Sequence, residues 1–342
     1  MGLFAISARE TFKDRNANIP DRNKKSDLVE KKEMTSLFVP YWTLGEGIMH
    51  QQDYDKYLYF GITATQDGVS TNEPGYKNLS TFIDSAGAEA EKLLVLRMLD
   101  SKVNFDILKD TSKQEKLINQ TINVAKEYGF DGIVLNLELS ALPFDSLIKQ
   151  INSFNSDFFK ISKSDGLSYF LTIYGDVYYR IRPFDVKNLA ENSDRIMIMA
   201  YDFSKANGNP GPNFPLQGKE KYGYDYTELV NKLIAEVQAK KIEIIFGLYG
   251  YDWQVDNKNI AQLTGKSLSH LEIKNSILNN CDILSCSNTR DNLSKENVVT
   301  YIGKDGKKHT VWYEDLASIE EKKNYLKSKG IYNFSLWANS YF

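Results

Sequence analysis

Short apolar runs alternate along the chain with longer amphipathic stretches, and this alternation limits the possible folds more than any other feature of the sequence. The runs are rich in β-branched and aromatic residues, which is typical of strands, and alternation of strands with helices predicts a parallel sheet. About eight strands are predicted, at residues 36–42, 57–63, 92–98, 132–138, 168–174, 195–200, 242–249 and 331–337. Eight is the number that a closed barrel needs. The sequence therefore predicts an α/β protein with a (β/α)8 TIM barrel.

The stretches between these strands carry apolar residues at helical spacing. Each apolar stripe is typical of the helix face that packs on a barrel. Helices are predicted at residues 113–128, 144–162, 226–240 and 318–329.

One connection is too long for a simple crossover, and it lies between strands 7 and 8. We expect a small insertion there, at about 252–316, in which residues 298–302 and 309–313 form two strands around a Gly-containing turn. Residues 1–34 are polar and lack a period, so they predict a flexible N-terminal lead-in. The remainder, 35–342, is predicted to be one barrel domain that includes the insertion.

Composition excludes several classes of partner. Lys and Arg number 42 against 45 Asp and Glu, which gives a net charge of −3, so no basic surface for nucleic acid is expected. No apolar run approaches the roughly 20 residues of a membrane span.

The first residues lack the apolar segment of a signal peptide. Localisation stays open: extracellular or in the cell envelope if a leader was removed, and otherwise cytoplasmic.

The metal-binding residue types are sparse. The two cysteines, Cys281 and Cys286, do not have the spacing of a four-ligand metal site, and they are either free thiols or one local disulfide. The three histidines are scattered along the chain. We therefore expect no metal site.

The fourth predicted strand carries an amide and a carboxylate two residues apart at its carboxyl end. Val134, Asn136 and Glu138 share one face, because side chains at i and i+2 of a strand point the same way. The opposite face is aliphatic, as expected of a strand covered by helices. Burying unpaired polar groups costs on the order of 2–7 kcal/mol, so the pair indicates a functional site unless Glu138 simply reaches solvent.

Other strands also end in polar or aromatic residues, and the carboxyl ends of barrel strands converge on one face. Tyr201 and Asp202 follow strand 6, and Trp337 ends strand 8. A buried tyrosine, a helix-capping aspartate and a core tryptophan are the alternative explanations. Second-rank candidates, for which packing is an equal explanation, are Met199, Tyr174, Tyr249, Arg97, Tyr41 and Trp42.

Four separated motifs resemble those of glycoside hydrolase family 18, the chitinase and endo-β-N-acetylglucosaminidase family, and within it the spore-cortex-lytic type. The likeness covers residues 36–342. The motifs are Asp131-Gly132-Ile133-Val134-Leu135-Asn136-Leu137-Glu138, Met199-Ala200-Tyr201-Asp202, His309-Thr310-Val311-Trp312-Tyr313-Glu314-Asp315 and Ser335-Leu336-Trp337.

The resemblance implies a retaining mechanism in which the substrate's acetamido oxygen is the nucleophile and no cofactor is needed. It implies that Glu138 protonates the leaving oxygen and that Asn136 orients the acetamido group. Tyr201 would donate its hydroxyl to the acetamido carbonyl, Asp202 would contact the sugar, and Trp337 would form the floor of the sugar site. The implied partner is an oligo- or polysaccharide containing N-acetylglucosamine, such as chitin, peptidoglycan or the core of an N-glycan.

Two residues depart from the family pattern, since Val134 and Asn136 both stand where the family has aspartate. An Asn-x-Glu pair also resembles the catalytic pair of glycoside hydrolase family 85, in which the amide can act as an imidic acid. The alternative function is a chitinase-like carbohydrate-binding protein with impaired catalysis that keeps Tyr201, Asp202 and Trp337 for recognition.

Overall fold

Eight parallel strands form a closed barrel in the computed structural model, which describes residues 32–46, 54–87 and 89–342. Each strand pairs with its neighbours in chain order, and the eighth pairs with the first, so the ring is closed. The predicted (β/α)8 barrel is confirmed. The strands are β1 (Met34–Pro40), β2 (Lys56–Thr65), β3 (Glu91–Met98), β4 (Gly132–Leu137), β5 (Ser168–Tyr174), β6 (Arg195–Ala200), β7 (Ile242–Gly247) and β8 (Asn333–Trp337).

Helices in the crossovers pack around the barrel, and several begin behind an aspartate whose side chain accepts a first-turn N–H. The shorter helices were missed from sequence because few turns give a weak period. The helices are Pro74–Lys77, Leu79–Ser85, Ser101–Leu108, Thr111–Glu127, Asp145–Ser164, Val186–Glu191, Lys219–Tyr222, Tyr226–Glu236 and Leu316–Ser328.

The barrel wall separates two apolar clusters, and β4 contributes to both. Val134 belongs to the cluster inside the barrel, with Phe38 and Phe60. Ile133 and Leu135 belong to the cluster between the strands and the helices. The two-residue alternation predicted for this strand is confirmed, and it directs Asn136 inward at the upper end of the barrel.

A second sheet of five antiparallel strands lies in the connection between β7 and β8. The predicted hairpin is present, with Asn297–Ile302 paired to Lys308–Tyr313. Two short helices, His270–Ser276 and Cys281–Leu284, complete this part, which we call the insertion. The other strands of its sheet are Tyr249–Gln254, Lys266–Ser269 and Ser287–Arg290.

Several predicted boundaries were wrong by a few residues, and three of these differences have a clear structural reason. The strand predicted at 242–249 ends at Gly247, because Tyr249 pairs in the second sheet. The first strand ends at Pro40 rather than 42, since the Thr43 hydroxyl donates to the Pro40 carbonyl at 2.9 Å and closes a turn of 3-10 helix. The helix predicted to reach 240 ends at Glu236, where Val237 adopts an extended conformation.

Other predictions concern single residues or the first residues of the chain. Both cysteines, Cys281 and Cys286, are free thiols in the structure. Within the described residues, no helix is both long and apolar enough to cross a bilayer. The lead-in predicted at 1–34 lies outside the described residues apart from its last three.

Candidate active site

A cleft of about 360 Å³ opens among the carboxyl ends of the barrel strands. Its size lies in the range of ligand pockets, roughly 300–1,000 Å³. The structure brings together most of the residues singled out in the sequence. Those that line the cleft are Asn136, Glu138, Tyr174, Met199, Tyr201, Asp202, Tyr249 and Trp337.

The amide of Asn136 and the carboxyl of Glu138 form a hydrogen-bonded pair. Asn136 donates from Nδ2 to Glu138 Oε1 at 3.1 Å. On its other side, Asn136 Oδ1 accepts the Thr172 hydroxyl at 2.6 Å. Thr172 is the residue of β5 that pairs in register with Asn136. These two bonds hold the amide with its NH2 group toward Glu138 and its oxygen toward β5.

Its position in the cleft raises the pKa of Glu138 above the ordinary value. Burial is the largest cause, because it penalises the charged carboxylate. The hydrogen bond from Asn136 lowers the pKa by stabilising the carboxylate. The nearby negative charge of Asp202 raises the pKa. Glu138 therefore keeps its proton to higher pH than a glutamic acid in water, as a general acid requires.

Tyr201, directly after β6, faces the same cleft. Burial, together with the charges of Glu138 and Asp202, raises the pKa of Tyr201 well above the usual value. Its hydroxyl therefore stays protonated, and remains a hydrogen-bond donor, even at a pH where a tyrosine in water ionises. Gly247, at the end of β7, leaves room for two cleft tyrosines, because a Cβ there would lie 2.4 Å from the Tyr249 ring and 3.0 Å from Tyr201 Cβ.

Asp202 is bound on both its carboxylate and its backbone. Its Oδ1 accepts the hydroxyls of Tyr249 and Tyr251, at 2.5 and 2.7 Å. Its backbone N–H donates to Asn213 Oδ1 at 2.8 Å. Tyr249, predicted at the end of a barrel strand, thus reaches the cleft from the insertion sheet.

Aromatic rings form one wall of the cleft. The Trp337 ring centroid lies 4.9 Å from that of Phe60, edge to face, and 5.6 Å from that of Phe38. The exposed Trp42 extends this group, with its ring edge-on to Phe60 at 6.1 Å. Such surfaces suit the apolar faces of sugar rings.

Three predicted residues, Arg97, Tyr41 and Trp42, are not among the described residues that line the cleft. Arg97 pairs instead with Glu73, Nη2 to Oε2 at 2.9 Å, and also donates to the Thr63 hydroxyl. Its guanidinium lies over the Tyr41 ring, 5.0 Å from the centroid. The carboxylate of Glu73 explains the difference, because it gives Arg97 a partner away from the cleft.

Several residues that line the cleft were missed from sequence. Thr172 could have been found, because it shares a face with Tyr174 two residues later. Arg182 could not, since it lies in an irregular loop. There it donates to both oxygens of Asp176, at 2.9 and 2.7 Å, and to the Ser140 hydroxyl at 2.6 Å. Lys205, also at the cleft, follows β6 in a loop without periodicity.

The family model described as glycosyl hydrolases family 18 matches residues 35–341. The chain belongs to this family. A class V chitinase of Arabidopsis thaliana is 25% identical over 293 residues, which cover 78% of this chain and 74% of the relative. A cortical fragment-lytic enzyme of Bacillus subtilis is 21% identical over 288 residues, 81% of this chain and 63% of the relative.

Solved structures support the same fold for this family 18 chain. The Bacillus cereus spore cortex-lytic enzyme SleL matches with a TM-score of 0.75 at 21% identity, covering 91% of this chain and 72% of that one. The class V chitinase of Nicotiana tobaccum matches with a TM-score of 0.76 at 16% identity, covering 90% and 94%. Nowhere in the described residues do three or more His, Cys, Asp or Glu side chains form a group suited to a metal ion.

Proposed function

We propose that this chain is a retaining glycoside hydrolase that cleaves β-linked N-acetylglucosamine glycans by substrate-assisted catalysis. One observation carries the proposal: a glutamic acid with a raised pKa lies in a cleft beside an amide, with a tyrosine hydroxyl and an aspartate in the same cleft. Membership of family 18 supports it further.

In the proposed reaction, Glu138 donates its proton to the glycosidic oxygen as the bond from that oxygen to C1 breaks. The acetamido carbonyl oxygen of the same sugar attacks C1 and forms a cyclic oxazolinium ion. Glu138, now a carboxylate, takes a proton from a water molecule, which attacks C1 and reopens the ring. Two displacements at C1 leave the product in the β configuration.

Asn136 and Tyr201 would hold the acetamido group for this attack. The Asn136 oxygen can accept the acetamido N–H, since a carbonyl oxygen has two lone pairs and Thr172 uses only one. The Tyr201 hydroxyl would donate to the acetamido carbonyl. Asn136 brings no negative charge to the oxazolinium ion, so we expect a slow enzyme. Asp202, Met199, Tyr174, Tyr249 and Trp337, which line the cleft, would contact the sugars.

The relatives suggest two natural substrates. Chitin is one, by analogy with the class V chitinases, and peptidoglycan is the other, by analogy with the cortical fragment-lytic enzymes. The core of an N-glycan is a third candidate substrate, because it also contains N-acetylglucosamine. A polysaccharide partner also suits the aromatic wall around Trp337.

A second candidate function is carbohydrate binding without efficient catalysis. The observation that favours it is the absence of charge at two positions of β4: Val134 is buried in the barrel interior, and Asn136 is neutral. Glu138 favours the enzyme, because sugar recognition alone does not require an acid beside the amide.

Turnover of a chitooligosaccharide and of a muropeptide by the wild type and by Glu138→Gln tests the proposal. Removing the acid is expected to lower turnover about 10²-fold or more. The control is Glu115→Gln, exposed on the helix Thr111–Glu127, which should leave turnover unchanged. If the wild type releases no more product than Glu138→Gln while both still bind sugar, the carbohydrate-binding function replaces the enzyme.

A further inference from the structure

The backbone of Asp202 adopts a conformation that residues other than glycine adopt rarely. Its φ is +56°, in the left-handed region. This residue directly follows Tyr201, so the turn sets the direction of two side chains in the cleft. A turn of this kind persists only where its surroundings hold it.

The insertion holds the carboxylate of Asp202. Tyr249 and Tyr251 lie two residues apart on the first strand of the insertion sheet, so their side chains share a face. Both hydroxyls donate to Oδ1 of Asp202. Tyr249 also lines the cleft, whereas Tyr251 is absent from the described residues around it. Tyr251 therefore acts on the site through Asp202.

Asn213 holds the backbone of the same residue. Its Oδ1 accepts the Asp202 N–H, and its Nδ2 donates to the Gly247 carbonyl at 3.0 Å, which ties the turn to the end of β7. The Asn213 side chain is only 2% exposed, so no water replaces these bonds readily.

Asn213 is anchored in turn by a buried carboxylate of the insertion. Glu296 accepts the backbone N–H groups of Asn213 and Phe214, at 2.5 and 2.8 Å. The same carboxylate pairs with Lys322 of the helix Leu316–Ser328 at 2.7 Å, and both side chains are fully buried. Removing either partner of such a pair is costly, because the other is left as a buried charge.

We propose that Tyr251 and Asn213 are positioning residues for Asp202, the first acting from the insertion sheet and the second from the loop between β6 and the helix Lys219–Tyr222. The proposal rests on the proposed function, in which Asp202 contacts the sugar. Tyr251 fixes the direction of the carboxylate, and Asn213, anchored by Glu296, fixes the backbone turn.

The first test removes one hydroxyl from the insertion sheet. Tyr251→Phe should lower kcat/KM for a chitooligosaccharide about tenfold, as expected for a lost hydrogen bond to a charged group. The matched control is Tyr301→Phe on the same sheet, whose hydroxyl donates to Asp252 instead, at 2.7 Å. This control should stay within about twofold of the wild type. Equal effects of the two variants would overturn the role of Tyr251.

The second test follows the Asp202 amide directly. Asn213→Ala should speed hydrogen exchange of that amide and weaken oligosaccharide binding when combined with Glu138→Gln. The matched control is Asn209→Ala in the same loop, whose side chain accepts the Ala261 N–H at 3.1 Å. Unchanged exchange at Asp202 in a folded Asn213→Ala protein would contradict the proposal. If Asn213→Ala does not fold, the comparison of Tyr251→Phe with Tyr301→Phe decides.

The two tests separate this proposal from the proposed function. A wild type without turnover contradicts the glycosidase, whereas the exchange rate at Asp202 and binding by Glu138→Gln proteins need no turnover. In that case Tyr251→Phe is compared with Tyr301→Phe by oligosaccharide affinity in the Glu138→Gln background. An effect confined to the first variant supports the positioning role without the chemistry.

Discussion

The acidity of Glu138 results from opposing effects of its surroundings in the cleft. Burial raises its pKa and the hydrogen bond from Asn136 lowers it, with the net shift upward. In the family pattern an aspartate stands at position 136, which would bring a second negative charge to this place. The neutral amide therefore changes both the protonation of the acid and the charge available to the oxazolinium ion.

Asn136→Asp is the sharpest change at the scale of one residue. Replacing a neutral hydrogen bond by a charged one is worth on the order of 1–2 kcal/mol, so turnover should rise about five- to thirty-fold. The new carboxylate would take the place of an amide nitrogen 3.1 Å from Glu138 Oε1, and the repulsion would raise the pKa of Glu138 further.

The pH dependence of kcat/KM checks the predicted rise in the pKa of Glu138. A general acid works only while protonated, so the rate falls as pH rises through its pKa. In Asn136→Asp this fall should lie at higher pH than in the wild type. A loss of turnover would show instead that the amide itself takes part in the reaction, as an imidic acid.

At the scale of elements, β4 was predictable and the loops were not. The alternation of Val134, Asn136 and Glu138 is a local property of a strand, so the sequence contains it. The pairing of Arg182 with Asp176 depends on how one irregular loop folds, which no periodic pattern records. Likewise, Tyr249 joins the second sheet because of partners distant in the chain: Ser269 lies opposite it in register, and the Glu314 N–H donates to its carbonyl.

The last helix and the insertion share a buried ionic cluster of Lys322, Glu296 and Glu314. Ser318 donates to Glu314, and the Tyr226 ring lies against Lys322. Two carboxylates face one ammonium group. Burial is the main reason why the pKa of Glu314 rises to about 8, with the attraction of Lys322 opposing it and the charge of Glu296 adding to it.

This shift predicts a pH-dependent stability difference between the wild type and Glu314→Gln. A carboxyl whose pKa is higher in the folded than in the unfolded protein contributes stability below its unfolded pKa, near 4.5, and loses that contribution as pH rises through about 8. The wild type should therefore lose stability relative to Glu314→Gln between about pH 5 and pH 9. Urea unfolding of both proteins at pH 5 and at pH 9 measures their free energies of unfolding. The same difference in free energy at the two pH values would contradict the prediction.

At the scale of the whole molecule, barrel closure assembles the site. Glu138 and Trp337 are 199 positions apart in the chain, and they line one cleft because parallel strands of a closed ring end on the same face. This convergence was predictable from the number of strands. The ion pair between Arg97 and Glu73 was not predictable, because it depends on the course of the chain after β2.

The configuration of the first product tests the central claim most directly. Proton NMR of the anomeric region during hydrolysis of a chitooligosaccharide shows which anomer forms before mutarotation equilibrates the two. Substrate-assisted catalysis with Glu138 as the acid predicts that the β anomer appears first. Initial release of the α anomer would mean a single displacement by water, and it would contradict this mechanism.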